Sequence, residues 1–348
     1  MARPLADVVR ITWPEDSAAP PPSTDAALDR AIAVLRRGGL VALPTETVYG
    51  LAADALDEEA VAGIYRAKGR PAGNPLIVHV DGLPMARSLA GGWTDAAERI
   101  ARDFWPGPVT VVVPRGPRIP DIVTAGGPTV ALRCPAHRLA RRLIARAGFP
   151  LAAPSANRSE AVSPTTAQHV LAGLGDRIDL ILDAGPCDRG IESTVVDCTA
   201  SPPHILRPGP LSRARLEEVL GGPVEWSPAA AVAAGATRSP GQQARHYCPR
   251  TPVEMPAEPA AAVAAHLAAG RRLGWLTLRA DDPDVRRLAA SRDLIVVPMP
   301  AEPEGYAIRL YATLHALDER GLDRIVIDPP PPTDEWSAVR DRLVRAAT

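Results

Sequence analysis

Leu40-Val41-Ala42-Leu43-Pro44-Thr45-Glu46-Thr47-Val48-Tyr49-Gly50-Leu51 is the stretch on which the reading of this chain turns. Four apolar residues run into a proline, then into two threonines and a glutamate. The first part reads as a buried strand over 40–44. The second reads as a polar cluster at its carboxyl end, which is where open α/β sheets dock ligands. Upstream, Asp25 to Arg37 reads as a helix: Thr24 stands at the cap, Ala27, Ala31, Ile32 and Leu35 supply an apolar face, and Gly38-Gly39 stops it. Residues before 25 read as a loose lead-in. Downstream, Glu58 to Ala67 reads as a short helix that delivers Lys68. Strands are expected over 75–80, 109–113, 129–133, 151–154, 180–183 and 194–197, and helices over 136–147 and 212–220. Ser163 stands where it would cap a helix whose first position is Pro164.

Composition changes at 221–252, where Gly221-Gly222-Pro223, an Ala-rich run and Ser239-Pro240-Gly241 read as a linker. Beyond it, helices over 258–269, 282–290, 304–320 and 335–347 alternate with strands over 272–278, 293–297 and 323–327. That spacing implies a small, Rossmann-like, mostly parallel sheet with helices on its faces. The expected organisation is a domain over 25–220, a linker or lid over 221–252 and a C-terminal α/β domain over 253–348.

The chain has 348 residues, 46% apolar and 23% charged, with a net charge of −1. This is the balance of a globular protein of about two domains, and nothing in it calls for a nucleic-acid or membrane surface. Aromatic residues are 4% of the chain, too few for base-stacking platforms. Cys134, Cys187, Cys198 and Cys248 lie far apart with no CxxC pair, so neither a zinc site nor a disulfide framework is suggested and a cytoplasmic setting is expected. No apolar run reaches the roughly 18 residues that span a bilayer, and no secretion signal is read at the N-terminus. The common nucleotide and hydrolase motifs are missing too: there is no GxxxxGK[ST], GxGxxG, HExxH or GxSxG.

What remains is a set of polar clusters at strand ends. Lys68 is the single lysine among 39 basic residues. A compact ammonium and a planar guanidinium are not interchangeable, so a lysine retained in an arginine-rich chain suits a phosphate clamp. Arg70, Asn74 and His79 follow it. Arg133 ends an apolar strand and needs an anionic partner, either an acid of the chain or a ligand. Ser155, Asn157 and Ser163 make a hydroxyl- and amide-rich turn suited to an anion. Ser193 precedes Thr194-Val195-Val196-Asp197, and Arg207 precedes Pro208-Gly209. Together they describe a pocket for a polyanion and a small hydroxylated molecule.

Pro44 to Leu51, Lys68-x-Arg70-Pro71 with Pro75-Leu76-x-x-His79, Ser155-Ala156-Asn157 and Ser193 to Asp197, in this order, resemble the YrdC domain. The linker from Ser239 to Pro249 and the α/β tail resemble the longer, two-domain form of threonylcarbamoyl-AMP synthases. The resemblance implies a twisted mixed sheet flanked by helices with a concave, positively lined face. It implies that L-threonine, bicarbonate and ATP give L-threonylcarbamoyl-AMP and pyrophosphate. The product would pass to a tRNA threonylcarbamoyl transferase complex, for tRNAs reading codons that begin with A, and a weak tRNA contact is among the expectations. It assigns L-threonine to Thr47, His79, Arg133, Ser193 and the backbone near Ala153. It assigns ATP to Lys68, Arg70, Asn74, Thr129, Ser155, Asn157, Ser163 and Arg207. Lys68 and Arg70 would face the triphosphate, with Mg²⁺ carried on it and no metal cage of protein ligands. His246 and Tyr247 would come to the nucleotide on a lid; Gln242 stands where relatives carry Met. Two other classes were weighed. An RNA-binding module sits poorly with the net charge. A carbamoyl-handling hydrogenase maturation factor would need the zinc-finger cysteines this chain lacks.

Overall fold

The computed structural model describes residues 4–14, 17, 19–226 and 246–347. The chain divides into two compact units, one of residues 1–159 and 163–243, the other of residues 160–162 and 244–348. The stretch 227–245, which holds most of the expected linker and lid, lies outside the described residues.

The first unit holds β1 (Asp7–Arg10), β2 (Val41–Leu43), β3 (Gly50–Asp54), β4 (Ile77–His79), β5 (Val109–Pro114), β6 (Thr129–Arg133), β7 (Leu151–Ala152), β8 (Leu180–Asp183), β9 (Thr194–Asp197), β10 (His204–Arg207) and β11 (Glu225–Trp226). They form one mixed sheet in the order β1-β8-β2-β3-β7-β4-β6-β5-β9-β10-β11. Alternation along its central strands separates two faces. Val78, Val111, Val113, Val130, Leu132, Ala152 and Val196 join the main core, where helices Glu58–Lys68 and Asp95–Phe104 pack. On the other face Ile77, Val112, Ala131 and Val195 form a small apolar floor of their own. Pairing of β4 with β6 and β7 sets His79 beside Arg133 and Leu151. The β5–β6 register sets Val111 opposite Leu132 and Pro114 opposite Thr129, and β5 pairs in parallel with β9, Thr110 beside Val195. The small-residue face therefore bears His79, Thr110, Thr129, Arg133 and Ala153.

The second unit contains β12 (Val253–Glu254), β13 (Leu273–Thr277), β14 (Leu294–Pro298) and β15 (Arg324–Ile327), all parallel, in the order β12-β15-β13-β14. Helices Pro259–Ala268, Pro283–Leu288, Pro303–Asp318 and Ser337–Ala346 alternate with them. This is the expected parallel-sheet α/β arrangement.

Three local expectations are corrected. The lead-in is not loose throughout, because β1 pairs in parallel with β8. Thr24 does not cap the first helix, which starts at Pro22 with Pro21 as its cap residue; the Thr24 hydroxyl is enclosed inside the first turn. A proline at N1 gives up no hydrogen bond and is pre-set for helical φ, which moves the start upstream. Ser163 caps no helix either. The helix spans Ala167–Leu174 and Thr166 caps it, its side chain accepting from the His169 N–H. Pro164 lies outside any helix, and its carbonyl takes the Tyr49 N–H instead.

Candidate functional site

The turn after β2 folds on itself. Thr45 Oγ1 donates to the Val48 carbonyl at 2.6 Å and accepts from the N–H groups of Thr47 and Val48 at 3.2 Å. This ST-turn replaces strand pairing and turns Glu46 and Thr47 inward, where both are buried. Arg133, at the end of β6, donates through Nη2 to Glu46 Oε1 at 2.8 Å and Thr47 Oγ1 at 2.9 Å. The anionic partner that Arg133 requires is thus an acid of the chain in this state. Burial pushes the Glu46 carboxyl up, but the Arg133 charge and hydrogen bond outweigh it and hold it below the ordinary range. Among the described residues no hydrogen-bond partner reaches Arg133 Nε or His79 Nδ1, both enclosed. Burial, then the neighbouring Arg133 charge, depress His79 to about 3 against the opposing pull of Glu46. His79 is therefore a neutral imidazole.

Lys68 is the last residue of helix Glu58–Lys68, one position earlier than a loop residue, because Gly69 ends the helix with φ +62°. Its ammonium is buried and donates to the carbonyls of Ser155 and Asn157, each at 2.6 Å, and to Asn157 Oδ1 at 3.4 Å. Burial, then the Arg70 charge, bring its pKa well below the ordinary lysine value, with Glu192 pulling the other way. Arg70 donates to the carbonyls of Asn74 and Pro75 at 3.0 and 2.8 Å. The Asn74 side chain is enclosed with neither its oxygen nor its nitrogen partnered among the described residues. A buried amide with both functions unused costs stability. Thr129 begins β6 and is half-buried at the same end.

Two buried polar clusters result. Arg133, His79 and Thr47 gather at the Arg133 end of β6; Lys68 with Ser155 and Asn157, and Arg70 with Asn74, form the second, and Thr129 stands at the other end of β6. Thr129 and Arg133 are four strand residues apart, about 13 Å at roughly 3.3 Å per residue. Ala153 is buried on the same face, its N–H given to the Ile77 carbonyl.

Glu192 and Ser193 draw in further expected residues. Ser163 Oγ donates to Glu192 Oε1 at 2.5 Å. Arg207 donates through Nε and Nη2 to the Ser193 carbonyl at 3.1 and 3.0 Å and through Nη2 to Ser193 Oγ at 3.2 Å. Gly209 lets that turn approach: a Cβ there would stand 2.3 Å from the Thr194 nitrogen and 2.6 Å from the Ser193 carbonyl carbon.

His246 and Tyr247 belong to the second unit. There the Tyr247 ring stacks on Tyr311, with centroids 5.6 Å apart, and the Arg342 guanidinium lies 5.3 Å from its centroid. Glu46 belongs to the polar cluster after β2 that the sequence offered for a small polar substrate. Thr110 and Glu192 were not anticipated: Glu192 directly precedes the Ser193 to Asp197 motif, and Thr110 was masked by its β-branched strand.

Residues 33–209 match the Sua5/YciO/YrdC family model, described as telomere recombination, and residues 211–348 match the model of the threonylcarbamoyl-AMP synthase C-terminal domain. Over 331 residues the chain is 38% identical to the threonylcarbamoyl-AMP synthase of Bacillus subtilis, covering 93% of this chain and 94% of that one. The chain belongs to the Sua5/YciO/YrdC family of threonylcarbamoyl-AMP synthases. The Pyrococcus abyssi enzyme of that name is 38% identical over 326 residues, 91% of this chain and 93% of the relative. The crystal structure of P. abyssi Sua5 complexed with L-threonine is similar with a TM-score of 0.86 at 35% identity, covering 98% of both chains. The family's two-domain form is thus spanned over nearly its whole length.

Proposed function

We propose that this chain is a nucleotidyltransferase that joins L-threonine, bicarbonate and ATP into L-threonylcarbamoyl-AMP with release of pyrophosphate. One observation carries the reading: two buried polar clusters in the first unit, one with a guanidinium and an imidazole (Arg133, His79), the other with an ammonium, a guanidinium and an amide whose side chain has no partner among the described residues (Lys68, Arg70, Asn74). The first suits an α-amino acid, with Arg133 taking the carboxylate and Thr47, His79, Ser193 and the Ala153 backbone around the amine and hydroxyl. The second suits a triphosphate, with Lys68, Arg70, Asn74, Thr129, Ser155 and Asn157 around it and Ser163 and Arg207 nearer the junction.

The threonine amine must be neutral to take up CO₂ or bicarbonate as a carbamate. The carbamate oxygen then attacks the α-phosphorus, the bond from that phosphorus to the bridging oxygen breaks, and pyrophosphate leaves. No protein nucleophile enters; positioning and charge neutralisation supply the acceleration. A neutral His79 leaves the amine's proton equilibrium undisturbed by a second cation. Mg²⁺ would enter as part of the nucleotide substrate, carried on its triphosphate. Four free thiols, three buried and that of Cys248 partly so, suit a reducing cytoplasm, and no helix among the described residues is long and apolar enough to cross a membrane. The product would serve a tRNA threonylcarbamoyl transferase. Pyrophosphate release by the purified chain with ATP and Mg²⁺ tests the proposal: release that requires both L-threonine and bicarbonate supports it, and release absent from a folded protein sinks it.

A further inference from the structure

We infer that Thr110 is a positioning residue that couples threonine binding to nucleotide binding through a buried chain, Thr110–Ser193–Arg207. The inference rests on the assignment of Ser193 to the amino acid and Arg207 to the nucleotide made above.

Thr110 and Ser193 are fully enclosed and Arg207 is 3% exposed. Thr110 Oγ1 and Ser193 Oγ lie 2.8 Å apart, within range for either to donate. Parallel pairing sets Thr110 beside Val195 on β9, and its neighbour Val111 stands opposite Leu132, the residue before Arg133. It therefore stands among the residues read as the amino-acid end although it is two strands from Arg207. The Arg207 fork grips residue 193 at both its carbonyl and its hydroxyl. A guanidinium assigned to one substrate is thus held by a residue assigned to the other.

The hydroxyl arithmetic makes the link directional. Ser193 Oγ has one proton to donate and two lone pairs. One lone pair takes the Arg207 N–H. If Ser193 donates to Thr110, it has one lone pair but no proton left to offer a substrate. If Thr110 donates to Ser193, the Ser193 proton is released toward an acceptor on the sheet face, the carboxylate or hydroxyl of the amino acid. That donation makes Oγ a stronger acceptor, and the Arg207–Ser193 bond tightens with it. Bound L-threonine then holds Arg207 in one orientation before the nucleotide arrives, and the nucleotide, by reciprocity, favours the same hydroxyl order. Ser163–Glu192 runs parallel to this chain on the adjacent residue.

The test is the affinity of α,β-methylene-ATP, which cannot release pyrophosphate, with and without saturating L-threonine. It is measured by calorimetry on the whole chain and its Thr110→Val and Thr110→Ser variants. L-threonine should tighten the nucleotide by about tenfold in the unmodified protein and by no more than about twofold in Thr110→Val, a coupling of ordinary size removed. Thr110→Ser, which keeps the hydroxyl, should restore the ratio. A ratio in Thr110→Val equal to that of the unmodified protein overturns the inference. So does a ratio lost equally in Thr110→Ser, which would place the effect in packing, and so does an unmodified protein with no coupling. Pyrophosphate release by the unmodified protein separates the cases: its absence sinks the synthase reading, while release together with an unchanged ratio sinks only the relay.

Discussion

Glu46→Ala is the perturbation whose size follows most directly from the geometry. The Glu46 and Arg133 side chains are 7% and 4% exposed and 2.8 Å apart. Removing one partner of such a pair strands the other charge and costs about 3–5 kcal/mol, against about 5–15 kcal/mol of total stability in a domain. At roughly 2–4 °C per kcal/mol for a unit of this size, Tm falls by about 6–20 °C. Glu46→Gln keeps an acceptor for Arg133 and falls less. L-threonine then reports on the site. If Arg133 receives the substrate carboxylate, the ligand supplies the anion the alanine variant has lost, so saturating L-threonine raises its Tm by several degrees more than it raises that of the unmodified protein. Urea titration and thermal melts at neutral pH, with and without L-threonine, give both numbers. A loss of stability below about 1 kcal/mol, the scale of an exposed pair, refutes the buried pair. An equal threonine shift in the two proteins refutes Arg133 as the carboxylate ligand. The same pair sets an acid limb. Burial raises the Glu46 carboxyl but the Arg133 charge and hydrogen bond bring it below its ordinary value of 4.5. Folding therefore favours the ionised form. Its contribution is complete above that ordinary value and is lost as pH falls through the lower folded value. Glu46→Gln flattens the stability curve in that acidic window.

Lys68→Met removes the ammonium at similar length and should lower pyrophosphate release by about 10²-fold or more, the scale of losing one preorganised charge donor, with an unaltered circular-dichroism spectrum; an unchanged rate ends the phosphate role. Because burial and Arg70 depress the Lys68 pKa, a bound triphosphate raises it again. Binding of α,β-methylene-ATP should therefore take up protons in the interval between the two values; calorimetry in buffers of different ionisation heat reads this, and no uptake, or uptake persisting in Lys68→Met, contradicts it. Thr24→Val removes a hydroxyl that is enclosed without a partner among the described residues and should stabilise the protein by about 1 kcal/mol; as a cap it would instead cost about 0.5–2 kcal/mol, so the sign in urea titrations decides.

The strands at Thr129–Arg133, Leu180–Asp183 and Thr194–Asp197 were legible to the residue because β-branched and apolar runs there end at sharp polar boundaries. The C-terminal alternation was equally plain for the helices and for β13, β14 and β15, while the two-residue β12 escaped. Length alone does not decide, since β1, β3 and β10 also escaped with four or five residues each: their runs lack a sharp apolar-to-polar boundary and draw their order from neighbouring strands. The Ser163–Pro164 signal satisfied every local rule for a helix start and lost to tertiary bonds: Ser163 to Glu192, and the Pro164 carbonyl to Tyr49.

Sequence alone determined which residue types were available for the site and that they sit at strand ends, because a lone lysine, isolated strand-end arginines and ordered motifs are properties of the linear chain. It also determined the parallel-sheet character of the C-terminal unit. The partners were decided by the tertiary structure. That Arg133 is neutralised by Glu46, that Lys68 is held by three main- and side-chain oxygens, and that Thr110 meets Ser193 follow from pairings between residues more than eighty positions apart. Local propensity carries no information about such pairings. They are set by sheet register and by the cost of leaving a buried charge or hydroxyl without a partner once the two faces of the sheet have been separated.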